Sequence, residues 1–178
     1  MRYWLIGDTH FNNRKLEEYS GRPSNFEERI MDACTRSFLP DDVVIHLGDI
    51  CLGKDEEWNN KFTALPVKKI LVMGNHDRKS TAWYYSHGWD TVCYSFSLGF
   101  EGNIILFSHQ PKEHIHGHNM NIHGHWHNND HRKDPEVMKF YTPFHKLLAI
   151  EYTNYQPILL ETFIKNEKAK DIKTKDTD

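Results

Sequence analysis

Three short apolar runs in this chain each break off at a glycine followed by a polar residue. They are Tyr3 to Ile6 before Gly7-Asp8, Val43 to Leu47 before Gly48-Asp49, and Val67 to Met73 before Gly74-Asn75. Runs this short, rich in Val, Ile and Leu, read as buried strands rather than helices. Helical patterns separate them. Phe26, Ile30, Cys34 and Phe38 recur at helical spacing, which predicts a helix reaching about Leu39. The capping-box pattern Ser24-Asn25-Phe26-Glu27 opens it, and Pro40-Asp41-Asp42 stops it. Asp55 to Ala64 reads as a second helix. Strand, helix, strand, helix, strand predicts an α/β (α+β) layered fold, with ligands gathered where the strands end.

The rest of the chain continues in the same grammar. Ser80 to His87 reads as a helix. Thr91 to Leu98 and Asn103 to Ser108 read as two strands of a hairpin turning at Gly99-Phe100-Glu101-Gly102. Met120 to His123 is a short strand running into a Gly-His loop. Lys146 to Tyr152 is a late strand, and a helix is expected from Ile158 onward. Residues 165–178 mix Lys, Glu and Asp with few apolar side chains, and read as a solvated helix end and a frayed tail. The expected organisation is therefore one domain over 1–164 and a charged tail over 165–178. A length of 178 residues suits one domain with a real core.

Composition excludes several classes of function. No stretch approaches the roughly 18 apolar residues of a membrane span. The N-terminal apolar run ends at Asp8 and does not read as a signal peptide, so a cytoplasmic location is the default. With 22 basic and 25 acidic side chains the net charge is −3, which argues against extended nucleic acid as a partner. A small phosphate-bearing substrate remains compatible, because a metal site brings its own positive charge. Cys34, Cys51 and Cys93 are scattered, show no zinc-ribbon spacing, and read as reduced thiols.

The anomaly is histidine, with 13 in the chain. Several fall in motifs at strand-to-loop junctions: Asp8-Thr9-His10, Gly48-Asp49, Gly74-Asn75-His76-Asp77, Ser108-His109 and Gly124-His125-Trp126-His127. Carboxylate, imidazole and amide oxygen together suit borderline divalent ions such as Mn²⁺, Fe²⁺, Ni²⁺ or Zn²⁺. The absence of cysteine from these motifs argues against a structural zinc site. A glycine before the ligand lets the backbone turn sharply and approach an ion closely. Each motif alone is weak; the ordered set is strong.

That set, D-x-H, GD, GNHD, SH and GHxH, resembles the calcineurin-like metallophosphoesterase superfamily over Asp8 to His127. The longer phrases DTHF, HLGD, GNHDR, SHxP and HGHxH are similar to its small single-domain bacterial and phage members. The resemblance implies a four-layer β-sandwich flanked by helices, holding two divalent metal ions, Mn²⁺ foremost. It implies that Asp8, His10 and His127 bind the first ion, that Asn75, His109 and His125 bind the second, and that Asp49 bridges both. It also implies hydrolysis by a metal-bridging hydroxide, with His76 protonating the leaving oxygen and Asp77 holding His76 in position. Two close cations clamp a phosphoryl group and acidify a shared water, and an imidazole titrates near neutrality, so the physical chemistry agrees.

The implied activity is hydrolysis of a phosphomonoester or small phosphodiester, with a nucleotide-type substrate. A metal-dependent nuclease and a non-catalytic scaffold of the same fold are the competing readings. The intact ligand set and His76 speak against the scaffold. Two His-Gly-His triplets compete for the metal; only the second, His123-Gly124-His125, continues to His127, so ligation is assigned there. His114, His116 and His118 either line the entrance or are merely solvated. Arg22 and Arg78, and more weakly Arg14, could reach a phosphate with a guanidinium fork. Phe11, Trp83, Tyr84, Tyr85 and Trp126 read as core or rim packing rather than base-stacking platforms, and His46 as a core histidine. His131 and His145 carry no signal.

Overall fold

The computed structural model describes residues 1–113, 116–129 and 133–175, so His114, His131 and the last residues of the tail lie outside the described residues. The predicted strands pair into two sheets. In the first, β1 (Tyr3–Ile6), β2 (Val43–His46), β3 (Lys68–Val72) and β4 (Thr91–Cys93) run parallel, and β9 (Ile158–Leu159) lies antiparallel against β1. The spatial order is β4-β3-β2-β1-β9. In the second sheet β5 (Ser95–Phe100) is antiparallel to β6 (Asn103–Ser108), while β7 (Met120–His123) and β8 (His145–Leu147) follow in parallel.

Side-chain alternation divides the core in two. Leu5, Ile45 and Val72 face the second sheet and pack with Ile105, Phe107, Met120 and Ile122. Ile6, Val44 and Leu71 point the other way. There they meet Phe26, Ile30 and Cys34 of helix α2 (Phe26–Ser37), Phe62 of α3 (Asp55–Thr63) and Tyr84 of α4 (Thr81–Ser86). Helix α6 (Leu160–Lys175) adds Leu160, Phe163 and Ile164 to the inter-sheet core. Single turns, α1 (Leu16–Tyr19) and α5 (Pro135–Met138), complete the described elements. The result is the mixed α/β architecture expected, two sheets flanked by helices.

Four local expectations are corrected. The run Thr91 to Leu98 is not one strand. It leaves the first sheet after Cys93 and joins the second at Ser95, with Tyr94 at the switch. The late strand stops at Leu147, and Leu148 to Ile150 are buried in irregular backbone. Ile158–Leu159 is a strand before the helix begins, and that helix continues through the expected tail to Lys175. The capping box is not formed: Asn25 caps α2 without a side-chain bond, and Glu27 instead accepts from the Asn12 amide and Arg14. Ser80, in contrast, caps α4 by accepting from Trp83 N.

Cys34, Cys51 and Cys93 are free thiols. Among the described residues, no helix is long and apolar enough to cross a membrane.

Candidate metal centre

The parallel strands deliver their polar residues to one end of both sheets. Past β1 and β2 the two chains stay paired: Asp8 N donates to Gly48 O, His10 N to Asp49 O and Phe11 N to Ile50 O, at 2.9, 3.0 and 2.9 Å. The cost of bending the backbone there is visible in φ. Asp8, His10, Asp49, His125 and His127 adopt φ of 51°, 46°, 55°, 74° and 53°, the left-handed region that side chains with a Cβ rarely enter. Backbone strain of this kind persists where surrounding structure over-determines it, and it concentrates at functional sites. Two glycines make the approach possible. A Cβ on Gly74 would lie 2.2 Å from Asp49 Oδ1, and one on Gly124 would lie 2.2 Å from Asp8 Oδ2.

Two groups of ligand atoms result. Asp8, His10 and His127 form one, Asp49, His109 and His125 the other, each with its atoms within 4.8 Å of one another. Asn75 Oδ1 joins the second group, 3.0 Å from His109 Nε2, which is 3.1 Å from His125 Nδ1. Asp49 Oδ2 stands between the groups, 3.4 Å from both His10 Nε2 and His109 Nε2. The first group is sealed, with Asp8, His10 and His127 at 0%, 2% and 1% exposure. The second opens to solvent at Asn75, with His76 half-buried alongside.

Cations fit this arrangement. Asp8 Oδ1, both ring nitrogens of His10 and His127 Nε2 are buried without a hydrogen-bond partner. Buried polar atoms are normally paired, so orphans on three residues that each bring a ligand atom within 4.8 Å of the others fit a bound cation. Burial drives the His10 pKa well below its usual value, leaving the neutral imidazole that a metal needs. Burial alone would raise Asp49, but His109 and His10 outweigh it and keep its carboxylate ionised. Burial alone would lower His109. Its bond to Asp49 and the Asp8 charge overcome that and raise it to about 9.

The supporting shell contains what the sequence did not disclose. His109 Nδ1 faces Leu47 O at 2.7 Å, which makes Nδ1 the donor and turns Nε2 toward the second group. His127 Nδ1 lies 3.1 Å from Glu151 Oε1, which fixes its Nε2 toward Asp8 in the same way. Burial would push the Glu151 carboxyl up, but His127 and Arg22 hold it at about 2. Glu151 sits in the irregular segment after β8. The one sequence signal for it was an acidic residue directly after the apolar Leu147 to Ile150.

Two expected roles are corrected by position. Arg22 does not reach toward solvent: its side chain is fully buried. It donates to Glu151 Oε1 at 2.7 Å, to Asp8 O at 2.7 Å and to Thr9 O at 2.8 Å. It clamps the first group from behind. Asp77 does not hold the His76 ring. Its carboxylate accepts from the amides of Asp49, Ile50 and Gly74, while His76 Nδ1 has no hydrogen-bond partner. Burial and the nearby Asp49 charge raise Asp77 to about 6.

The remaining candidates separate cleanly. Arg78 is exposed on the loop after β3. Arg14 pairs with Glu17 and Glu27. Phe11, Tyr84 and Trp126 are buried, Trp83 stacks on His87, and Tyr85 is exposed. His46 is a core residue: Gly48 N donates to its Nδ1 and Thr9 Oγ1 meets its Nε2, with burial lowering it to about 3. Of the first histidine triplet, His116 is exposed and His118 Nε2 meets Ser97 Oγ at 2.7 Å.

Known proteins place these features in context. The family model described as calcineurin-like phosphoesterase matches residues 1–168. The uncharacterized protein MJ1445 of Methanocaldococcus jannaschii is 29% identical over 192 residues, covering 97% of this chain and 96% of its own. The crystal structure of the protein of unknown function AQ665 from Aquifex aeolicus superposes with a TM-score of 0.73 at 24% identity. It covers 92% of this chain and 98% of that one, and shows the shared fold.

Proposed function

This chain belongs to the calcineurin-like phosphoesterase family, and on that footing we propose that it hydrolyses a phosphomonoester or small phosphodiester at a two-cation centre. The observation that carries the reading is Asp49 Oδ2, equidistant at 3.4 Å from a histidine nitrogen of each ligand group. One carboxylate oxygen between two groups of candidate ligands supports reading Asp49 as the bridging ligand.

Asp8, His10 and His127 would hold one cation and Asn75, His109 and His125 the other, with Asp49 shared between them. Two divalent cations, when bound, acidify a water and neutralise charge on the phosphoryl oxygens. Carboxylate, imidazole and amide oxygen suit Mn²⁺, Fe²⁺, Ni²⁺ or Zn²⁺, and Mn²⁺ is the foremost candidate by the family resemblance. Asn75 contributes a neutral oxygen at the open side, which limits repulsion of an anionic ester. Rigid placement of these groups lowers the barrier chiefly through electrostatic stabilisation.

His76 is the proton donor to the leaving oxygen. Its backbone amide donates to Asp49 Oδ1 at 2.8 Å, and its ring centroid lies 5.2 Å from that of His10. That position, beside both candidate ligand groups, supports reading His76 as an acid rather than a ligand. Asp77 sets the loop that carries His76, and Arg78 is the exposed cation beside it for a phosphate oxygen. The test is hydrolysis of p-nitrophenyl and bis-p-nitrophenyl phosphate by chelator-stripped protein reloaded with Mn²⁺, Fe²⁺, Ni²⁺ or Zn²⁺. Turnover that returns with metal supports the reading; none with any of the ions overturns it.

A further inference from the structure

A second feature adjoins the ligand groups. A cavity of about 260 Å³ opens beside Asn75 and His109 and continues to Tyr94, Gln110 and Lys112. Because it shares two residues with the second ligand group, whatever is attached to a phosphorus held there extends into it. Its volume suits one nucleotide-sized group.

Among the described residues, no hydrogen bond holds the side chains of Tyr94, Gln110 or Lys112, but their backbones are pinned. Tyr94 sits where the chain switches sheets, between Cys93 paired to Val72 and Ser95 paired to Ser108, at the strand ends that carry the site. Its ring is 68% exposed. Gln110 O accepts from Ser108 Oγ at 2.7 Å. Lys112 N donates to Asn121 Oδ1 and Lys112 O meets His145 Nε2, both at 3.0 Å. Among the described residues, no carboxylate pairs with the Lys112 ammonium, and none lines the cavity. A second polar groove, lined by Asp55, Glu56 and Glu57 together with Lys54 and Lys79, carries mixed charge. An exposed aromatic face, an amide and an unpaired cation on rigid backbone make a recognition site for a planar ring with a polar edge and a charge.

Resting on the phosphoesterase reading, we propose that this cavity is the leaving-group subsite for a small phosphodiester whose leaving group is a single nucleotide. The base stacks on Tyr94, its polar edge meets Gln110, and the nucleotide's own phosphate pairs with Lys112. Water adds to phosphorus, the bond to the leaving 3′ oxygen breaks, and that oxygen takes the proton from His76. The products are two nucleotides.

The test uses Mn²⁺-loaded full-length protein and two dinucleotides, pApA and ApA, whose leaving groups differ only by the 5′ phosphate. Wild type should cleave pApA with kcat/KM about tenfold above that for ApA. Lys112→Ala should abolish that preference. Tyr94→Ala should lower kcat/KM for both dinucleotides about tenfold, and Tyr94→Phe should restore it. By calorimetry, Tyr94→Ala should weaken AMP about tenfold while leaving inorganic phosphate and Mn²⁺ stoichiometry unchanged. Unaltered pApA kinetics and AMP affinity in both variants would overturn the subsite while bis-p-nitrophenyl phosphate turnover left the phosphoesterase reading standing. No turnover of any ester would overturn that reading, and the leaving-group assignment with it.

Discussion

The Asp77 carboxylate accepts a hydrogen bond from the Asp49 backbone amide at 2.7 Å, and through it the loop after β3 fixes the loop after β2. Its other bonds, to Ile50 N at 3.0 Å and Gly74 N at 2.8 Å, close the same junction. Asp77→Asn should cost on the order of 2 kcal/mol, because an amide nitrogen then opposes a buried N–H donor. It should also weaken metal binding, since Asp49 is the proposed shared ligand. Urea melts and Mn²⁺ titration check both effects; a variant as stable and as tightly metallated as wild type would show the staple to be dispensable.

His76→Ala separates acid from ligand. We expect both cations retained and kcat reduced by about 10² to 10⁴-fold for esters with poor leaving groups. The loss should be smaller for p-nitrophenyl esters, whose leaving group needs no proton. Loss of metal from this variant would instead make His76 a ligand.

Glu151→Gln tests the bond behind His127. The neutral amide keeps the shape but leaves the buried Arg22 guanidinium without its counter-charge. Metal affinity should fall about 10 to 100-fold. Arg22→Lys should not rescue function, because an ammonium cannot serve Glu151, Asp8 O and Thr9 O together. Metal affinity equal to wild type in Glu151→Gln would remove Glu151 from the supporting shell.

Acid stability depends on a junction remote from the site. Arg2, Trp4 and the Leu39 amide all donate to the Asp42 carboxylate. Led by the Arg2 bond, they hold it well below its ordinary 3.8. A depressed folded-state pKa gives stability that is present above the unfolded value and lost as pH falls through the folded one. Asp42→Asn should therefore lower stability at neutral pH and flatten its decline below about pH 4. Denaturant midpoints across that range read the difference; parallel curves for the two proteins would contradict it.

Much of the candidate site was legible because its candidate ligands follow strands, where Gly-Asp, Gly-Asn and Ser-His mark the ends of apolar runs. The choice of His125 over the first triplet rested on His127, and the fold places those two in opposite ligand groups. What the sequence hid is long-range. Glu151 and Arg22 lie 129 residues apart and meet only when the segment after β8 folds beneath His127. The Tyr94 sheet switch was hidden because both halves of that run favour strands, and local propensity carries no information on which sheet receives them. Ser24 and Glu27 matched a capping box, but Asn12 and Arg14 compete for Glu27 through contacts no local window contains.

The most direct measurement of the central claim is ester hydrolysis by metal-stripped protein as Mn²⁺ is added in known equivalents. Turnover of bis-p-nitrophenyl phosphate should rise to a plateau at two ions per chain, as two ligand groups sharing Asp49 require. A plateau at one ion, or no turnover at any loading, would contradict the two-cation account.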